Sequence, residues 1–442
     1  MPIVIGGGIS IGSGVSVISI PPPTVTGVSP PTGSSGGGTS ITITGTGFIS
    51  VQSVTIGGNA AASYTVDSTT QITATTPAGT IGTASILVTT DGGVNAANSY
   101  FSYISTTSAL AVGHGTTPYI SVYPWTLASG YGAKFSNPGT LPTGAGQGVA
   151  FNASSSALAV GHVSSPYLTV YPWNTTTGFG TKYADPAVKI LAQGFSPRFT
   201  PAEDAIAVGY GSSPYVAAWA WSNSTGFGTK YTAPATTPTG SGNAIAFSPA
   251  GDAIAVAHTT TPFITAYPWS SVTGFGTKYS NPGTLPPQTG RGVAFNPAGG
   301  SVAVSHTTTP YVTAYQWDSA TGFGTKYSNP GTTPTGIAYS VAFTPTGSAL
   351  AVGHGTAPST TVYPWNNTTG FGTKYSDPAT QAATSVVSVT FSTAGNAFFA
   401  ASTGTPYIFA WPWSDSTGFG TIYSNPATLP AGAGQAVAIS AA

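Results

Sequence analysis

The sequence predicts an all-β protein in which a small N-terminal β-sandwich precedes a seven-bladed β-propeller that the C-terminal strand closes. Three observations predict the propeller: tryptophan recurs every 48 residues, a phenylalanine and a Gly-aromatic-Gly triplet recur at the same spacing, and the last residues repeat the pattern of an inner strand. A period near 50 with four short strands per unit is typical of propeller blades. The tryptophans are Trp125, Trp173, Trp221, Trp269, Trp317, Trp365 and Trp413.

One repeat shows the four strands of a blade, which we call a, b, c and d from first to last. Short segments rich in Ala, Val, Ile and aromatics predict them at 243–247, 253–257, 262–269 and 274–279. Pro249 and Gly251 lie in the tight turn between a and b, where proline fixes φ and glycine accepts a positive φ. We expect the large rings of neighbouring blades to stack on each other.

The two ends of the repeat region predict how the circle closes. Residues 434–439 repeat the a-strand pattern of residues 146–151 but have no b strand after them. The first blade begins at residues 109–112 with a b strand and lacks a strand a. We expect the C-terminal strand to complete that blade and to cover both open edges.

The repeat resembles the WD40-like propeller superfamily. The match lies in Ala246-Phe247-Ser248-Pro249-Ala250-Gly251-Asp252, followed by Tyr267-Pro268-Trp269. The terminal Trp-Asp pair of that family is present only at Trp317-Asp318. The resemblance implies blades of four antiparallel strands and names no ligand.

The residue pattern of the segment before the repeats differs from that of the repeats and indicates a second domain. Alternating strands at 40–44, 54–56 and 86–88 are separated by glycine-rich turns, which favours a β-sandwich. Thr24-Val25-Thr26-Gly27-Val28-Ser29-Pro30 and Ile43-Thr44-Gly45-Thr46-Gly47-Phe48 resemble the IPT/TIG family of immunoglobulin-like domains. The predicted organisation is an assembly segment at 1–23, an IPT/TIG domain at 24–104 and a propeller at 105–442.

Residues 1–20 alternate apolar and small residues and are followed by the stiff spacer Pro21-Pro22-Pro23. One hypothesis is that this segment adds a strand to a sheet of a partner or of a sister copy, so that the chain forms a homo-oligomer in an assembly. The alternative is an unstructured tail. The start lacks the charged and apolar regions of a secretory signal, so we do not expect export by that route.

Composition excludes several partners. Only 4% of residues are charged, and nine basic and nine acidic side chains cancel. No long-range field therefore attracts nucleic acid or anionic lipid. Polar residues and glycines interrupt every apolar run, so no membrane span is predicted. The chain contains no cysteine, which excludes disulfides and zinc-thiolate sites.

A candidate ligand-face ring occupies one repeat position at the end of strand b. It consists of His114, His162, Tyr210, His258, His306 and His354, with Ser402 in the seventh blade. Because strands alternate in direction, the b–c loops share a face with the long d–a loops, which makes that face the better binding candidate. The alternative is that each histidine satisfies a buried backbone group of its own blade. Separate blades keep the imidazoles from a common ion, so no metal site and no cofactor are predicted.

The remaining charged side chains suggest no catalytic group. Lysine occupies one position of strand d in six blades, where it discourages pairing between exposed sheet edges; contact with an anionic ligand is the alternative. The carboxylates are scattered, and the one adjacent pair, Glu203 and Asp204, lies in an a–b turn where solvation is the usual role. No nucleophile–base pair or phosphate loop is present, so the protein is predicted not to be an enzyme.

Three functions fit this sequence. The first is a structural protein of a tailed-phage virion, a head decoration or fibre-like appendage that docks through its N-terminal part onto capsid or tail proteins and displays the propeller at the virion surface. In modular order and texture the chain resembles such proteins. The second is a tail-fibre receptor-binding protein or extracellular adhesin that recognises host surface glycans. The third is an enzyme acting on polysaccharide. The absence of the carboxylate pair that glycoside hydrolysis requires argues against it.

Overall fold

The computed structural model describes residues 20–35, 37–80, 82–104 and 107–441, which form two compact units divided at Thr106 and Thr107. The described residues form strands and no helix. The hypothesis about the N-terminal strand falls on residues 1–19 and lies outside the described residues.

The first unit is a β-sandwich. Its strands are β1 (Thr24–Ser29), β2 (Thr32–Ser34), β3 (Ser40–Thr46), β4 (Ser53–Ile56), β5 (Asn59–Ala60), β6 (Ser63–Ser68), β7 (Gln71–Thr75), β8 (Gly82–Ala84), β9 (Ile86–Thr90), β10 (Gly93–Val94) and β11 (Phe101–Ile104). They form sheets in the orders β1-β3-β7-β6, β10-β9-β4-β5 and β2-β11-β8. Alternate residues such as Ile41, Ile43 and Ile72 are buried between the sheets, as the period of two predicts.

The second unit is a seven-bladed propeller of 48-residue repeats, and each blade is one antiparallel sheet in the order a-b-c-d. Blade 1 contains β12 (Ser108–His114), β13 (Ile120–Thr126), β14 (Gly130–Tyr131) and the C-terminal β39 (Gly434–Ile439). Blade 2 contains β15 (Gly146–Phe151), β16 (Ala157–His162), β17 (Leu168–Asn174) and β18 (Gly178–Phe179). Blade 3 contains β19 (Gly194–Phe199), β20 (Ala205–Tyr210), β21 (Val216–Ser222) and β22 (Gly226–Lys230). Blade 4 contains β23 (Gly242–Phe247), β24 (Ala253–His258), β25 (Ile264–Ser270) and β26 (Gly274–Phe275). Blade 5 contains β27 (Gly290–Phe295), β28 (Ser301–His306), β29 (Val312–Asp318) and β30 (Gly322–Lys326). Blade 6 contains β31 (Ala338–Phe343), β32 (Ala349–His354), β33 (Thr360–Asn366) and β34 (Gly370–Phe371). Blade 7 contains β35 (Val386–Phe391), β36 (Ala397–Ser402), β37 (Ile408–Ser414) and β38 (Gly418–Phe419).

The predicted closure is confirmed. Strand β39 pairs antiparallel with β12, and Val112 lies opposite Val437. Beyond the strand, the Ser440 hydroxyl accepts a hydrogen bond from the Ala109 backbone N–H at 2.7 Å. The first and last parts of the repeat region therefore share one sheet, in which β12 and β39 cover each other's free edge.

Strand d is shorter than predicted in most blades, and a proline on strand c explains why. In blade 4 the regular ladder ends at Phe275, because Pro268 on the facing strand has no N–H to donate. Blades 3 and 5 carry Ala220 and Gln316 at the proline position, and there strand d extends to Lys230 and Lys326. The expected strand at 274–279 was therefore wrong in its length.

Edge-to-face ring contacts join each blade to the next, which corrects the expected stacking. Trp269 meets Phe275 of its own blade at 5.0 Å and Tyr231 of blade 3 at 5.1 Å, with interplanar angles near 80°. The Tyr231 hydroxyl also donates to the Ser271 carbonyl at 2.5 Å. Gly274 has φ of +78°, and an added Cβ would lie 3.0 Å from the Tyr231 ring, so this position requires glycine.

We expect Trp269→Ala to lower the free energy of unfolding by about 3–5 kcal/mol, because it removes a buried ring with contacts in two blades. Tyr231→Phe is the matched control, since blade 1 carries Phe135 at this position; it removes only the hydroxyl and should cost about 1 kcal/mol. Chemical denaturation of both variants measures the difference. Equal losses would show that the ring contact contributes no more than the hydrogen bond.

Candidate functional site

The histidine position is a buried support of the b–c loop. All five imidazoles are 0% exposed and Tyr210 is 2% exposed. In blade 4, His258 Nε2 lies 2.9 Å from the Thr265 hydroxyl, and its backbone N–H donates to the Phe263 carbonyl at 3.0 Å. The predicted ring therefore offers no side-chain surface to a ligand, and each imidazole Nε2 lies beside a Ser or Thr hydroxyl of its own blade instead of the expected backbone group.

Burial also keeps these imidazoles uncharged. Desolvation is the main cause that lowers the pKa of each of the five histidines to about 4. The charge of Lys278 adds to the lowering of the pKa at His258, whereas the charge of Asp185 opposes it at His162. A neutral imidazole can accept or donate the bond to the neighbouring hydroxyl, so its structural role is compatible with neutral pH.

In six of the seven blades the residue that follows the proline of the b–c loop presents an aromatic side chain at the surface. These residues, which we call the b–c aromatics, are Tyr119, Tyr167, Tyr215, Phe263, Tyr311 and Tyr407, and all are partly exposed. Their φ angles lie between 68° and 71°, a region in which a bulky residue is strained. Ser359 takes the position in blade 6 with φ of 61° and is buried. Sequence reasoning selected the histidine five residues earlier, although recurrence of the aromatic was visible in the same repeat.

Hydrogen bonds place the b–c and d–a loops on one face, as the strand directions predicted. The Thr143 hydroxyl in a d–a loop donates to the Ser165 carbonyl in a b–c loop at 2.8 Å. The same bond joins Thr239 to Thr261 at 2.6 Å. The b–c aromatics therefore lie on the face that also carries the longest connections, which we call the aromatic face.

In five blades the lysine at or just after strand d bonds to the loop that follows it, whereas Lys230 lies over the Trp219 ring. Lys278 Nζ donates to the Asn281 side chain at 2.5 Å and to the Tyr279 carbonyl at 3.2 Å. Lys182 forms the equivalent ion pair with Asp185. All six lysines are partly buried. The contacts of these five lysines fix the start of the d–a loop. Whether the lysines also prevent pairing between exposed sheet edges stays a prediction.

The seven a strands surround an axial channel with two chambers. The wide chamber contains about 560 Å³ and is lined by strand ends and a–b turns, including Phe151, Phe247 and Phe295. The narrow chamber contains about 100 Å³ and is lined by the starts of the a strands, including Ser340 and Ser388. The narrow chamber therefore opens toward the aromatic face and the wide chamber toward the opposite face. Arg198 lines both, and Arg291 lines the narrow one.

Among the described residues, no acidic side chain lines either chamber. The nearby Glu203 bridges blades 2 and 3, where its Oε2 accepts hydrogen bonds from Asn152 at 2.7 Å and Asn223 at 2.6 Å. Burial raises the pKa of this carboxyl, but the hydrogen bonds from Asn223 and Ser154 outweigh it and hold the pKa below its usual range. Glu203 was expected to be a solvated side chain of an a–b turn. The structure shows instead that its carboxylate oxygens join two blades.

Across the described ranges, no group of three or more His, Cys, Asp or Glu side chains could hold a metal ion. A search of the same residues finds no helix with the length and apolar character to span a membrane.

Comparison with known proteins defines the class as an IPT/TIG domain joined to a β-propeller. Residues 23–103 match the family model described as the IPT/TIG domain. The structures similar to the propeller include a putative 6-phosphogluconolactonase from Bacteroides fragilis, with a TM-score of 0.62 at 11% identity over 76% of this chain and 98% of that one. The periplasmic gluconolactonase PpgL of Pseudomonas aeruginosa has a TM-score of 0.60 at 12% identity over 76% and 99%. Identities this low show the fold alone. No curated protein matches the sequence.

Proposed function

We propose that the chain is a non-enzymatic structural protein of a tailed-phage virion, whose propeller binds host surface glycans through the aromatic face. The observation that carries the proposal is the recurrence of partly exposed aromatic side chains at one strained position in six blades. The virion setting is supported by the modular order, in which a charge-poor repeat domain follows an immunoglobulin-like domain.

The b–c aromatics have the chemistry of a binding surface. Tyrosine combines a broad apolar ring with a polar hydroxyl and loses little conformational freedom on binding, so it is enriched where proteins bind partners. The strain at φ near 70° persists because the surrounding turn enforces it: the Phe263 N–H donates to the Thr260 carbonyl at 2.7 Å. Strain of this kind clusters at functional positions. The flat rings and the nearby hydroxyls of the loops suit a neutral sugar.

The chamber lining favours binding over hydrolysis. Proton transfer in catalysis is usually carried out by imidazole or carboxylate groups. The lining consists of small apolar residues, hydroxyls, amides, aromatic rings and two guanidinium groups. A guanidinium holds its proton at all physiological pH values and cannot act as a general base. We therefore extend no lactonase activity to this chain from its fold neighbours.

Binding to whole host cells and to a glycan array tests the receptor role. The variant Tyr167→Ser/Tyr215→Ser/Tyr311→Ser copies Ser359, the residue that blade 6 carries at this position. We expect it to lose at least tenfold in affinity, since each ring removed deletes an apolar contact. The exposed Tyr100 of the sandwich is the control, and Tyr100→Ser should bind as the unmodified chain does. Unchanged binding of the triple variant would contradict the role of the aromatic face.

Mass spectrometry of purified particles tests the virion setting. We expect the chain to be present in many copies per particle. Its absence from particles of a phage that encodes it would overturn the structural part of the proposal, while the glycan measurement would still decide the binding part.

A further inference from the structure

Both arginines of this chain lie in the axial channel of the propeller. The other seven basic residues are lysines, and six of them share one repeat position at or just after strand d. Arg198 and Arg291 instead belong to the innermost strands β19 and β27. The two residues differ by three positions within the a-strand repeat, which at about 3.3 Å per residue separates their backbones by about 10 Å along the strand direction. Both side chains nevertheless line the narrow chamber.

Neither guanidinium has an acidic partner among the described residues. The ion pairs there all join lysine to aspartate. Arg198 donates to the Pro197 carbonyl at 2.7 Å, and Arg291 lies 5.8 Å from the centre of the Tyr339 ring. Both arginine side chains are exposed to the solvent of the channel, and desolvation by the surrounding protein lowers the pKa of the Arg198 guanidinium. Two like charges thus line one chamber without a protein carboxylate beside them, and such a chamber attracts anions from solution.

The repeat shows that the fold does not require arginine at either place. The position of Arg198 is alanine in five other blades, at Ala150, Ala246, Ala294, Ala342 and Ala438. The position of Arg291 is glutamine in two, at Gln147 and Gln435. At each of the two positions six of the seven blades carry an uncharged residue, so packing alone does not explain the two charges.

We infer that the narrow chamber is an oxyanion-binding site in which Arg198 and Arg291 hold a phosphate or carboxylate group. A guanidinium presents a planar set of N–H donors that matches such groups and binds them by two parallel hydrogen bonds. The Ser340 and Ser388 side chains line the same chamber and offer further polar contacts. A cavity of one sign of charge with low-dielectric walls concentrates the opposite charge from solution. The volume of about 100 Å³ suits a single anionic group and not a whole sugar.

The body of the ligand can extend from this group into the wide chamber. That chamber contains about 560 Å³, within the range of small-molecule sites, and Arg198 is the one charged residue among its described lining residues. Its remaining walls are largely Val, Ala and Phe. The ligand class is therefore a small molecule or chain end with one oxyanion, and none of the b–c aromatics lines either chamber.

Isothermal titration calorimetry on the full chain at low ionic strength tests this inference with sodium phosphate, sodium glucuronate and glucose. We expect one anion per chain to bind, and glucose not to compete. Arg198→Ala and Arg291→Gln, which copy the residues of sister blades, should each weaken the affinity at least tenfold. Lys326→Ile is the charge-matched control, because blade 7 carries Ile422 there, and it should leave the affinity unchanged. Tighter binding of glucuronate indicates a sugar-borne group, and tighter binding of phosphate a free oxyanion.

Thermal unfolding is a second test, which detects anion binding that is too weak for calorimetry. Without anion, Arg198→Ala should melt at the same or a higher temperature than the unmodified chain, because it removes an uncompensated charge. Added phosphate should raise the melting temperature of the unmodified chain and not of the variant. No uptake of either anion, or uptake that survives both arginine substitutions, would overturn the inference. These outcomes do not depend on glycan binding by the b–c aromatics, so the two proposals can fail separately.

Discussion

Deletion of residues 434–442 is expected to abolish the cooperative folding of the propeller. Strand β39 supplies the whole a strand of blade 1, and its Val437 is buried against Val112 and Leu110. Its Val437 N–H donates to the Ser388 hydroxyl of blade 7 at 3.1 Å, and the Ala441 N–H donates to the Ser155 hydroxyl of blade 2 at 2.8 Å. The last residues therefore bind three blades at once.

The expected loss is as large as the stability of an ordinary domain. Several ladder hydrogen bonds at about 1 kcal/mol each, together with the buried side chains of β39, sum to about 5–10 kcal/mol. Native domains are stable by about 5–15 kcal/mol. The deletion also exposes the edge of β12, which is uncharged and apolar and invites aggregation.

Tryptophan fluorescence during chemical denaturation, with size-exclusion chromatography, measures this effect. Removal of residue 442 alone is the control, because it leaves β39 and the bonds of Ser440 and Ala441 in place. A peptide of residues 432–442 added to the truncated chain should restore part of the transition. A truncated chain that unfolds at the same denaturant concentration as the full one would contradict the role of the closing strand.

Acidification from pH 7 to pH 5 is expected to cause the second large loss of stability. The five buried histidines have pKa values of about 4 in the folded chain, against 6.5 for an exposed imidazole. The folded state thus favours the neutral form, and the unfolded chain binds more protons between these two values. The stabilisation is complete above pH 6.5 and is lost as the pH falls toward 4.

Each imidazole should contribute about 2 kcal/mol to this loss, since it spans roughly 1.5 pH units at 1.36 kcal/mol per unit. With only nine carboxylates in the chain, few other groups titrate in this window. Denaturation midpoints at a series of pH values give the number of protons taken up on unfolding, expected to approach five. The variant His258→Ser/His306→Ser copies Ser402 of blade 7 and should take up two fewer. Stability that does not change between pH 7 and pH 5 would show that the imidazoles are not buried as described.

Much of the architecture could be predicted because each blade repeats it. The spacing of Trp125 and its six counterparts gave the number of blades, and the kinship of residues 434–439 with 146–151 gave the closure. Strand lengths were less predictable. The end of strand d depends on whether Pro268 or its counterpart can donate a hydrogen bond across the ladder, and a pattern of apolar residues does not record this.

The candidate sites were harder to predict because exposure depends on neighbours distant in sequence. His258 and Phe263 recur with the same period, but only the packed hairpin shows that the imidazole faces Thr265 and that the aromatic ring lies at the surface. Glu203 lies in a turn, and only the packed blades place Asn152 and Asn223, which lie just beyond the ends of two strands, against its carboxylate.

The sequence by itself determined that this protein has seven equivalent blades, a closing C-terminal strand and a separate sandwich, because periodicity and alternation are properties of the chain. Only the tertiary structure decided that the two arginines share one chamber. They belong to different blades, and both line it because circular packing brings every a strand to the axis. That convergence results from closure of the circle, so it does not exist in any single repeat.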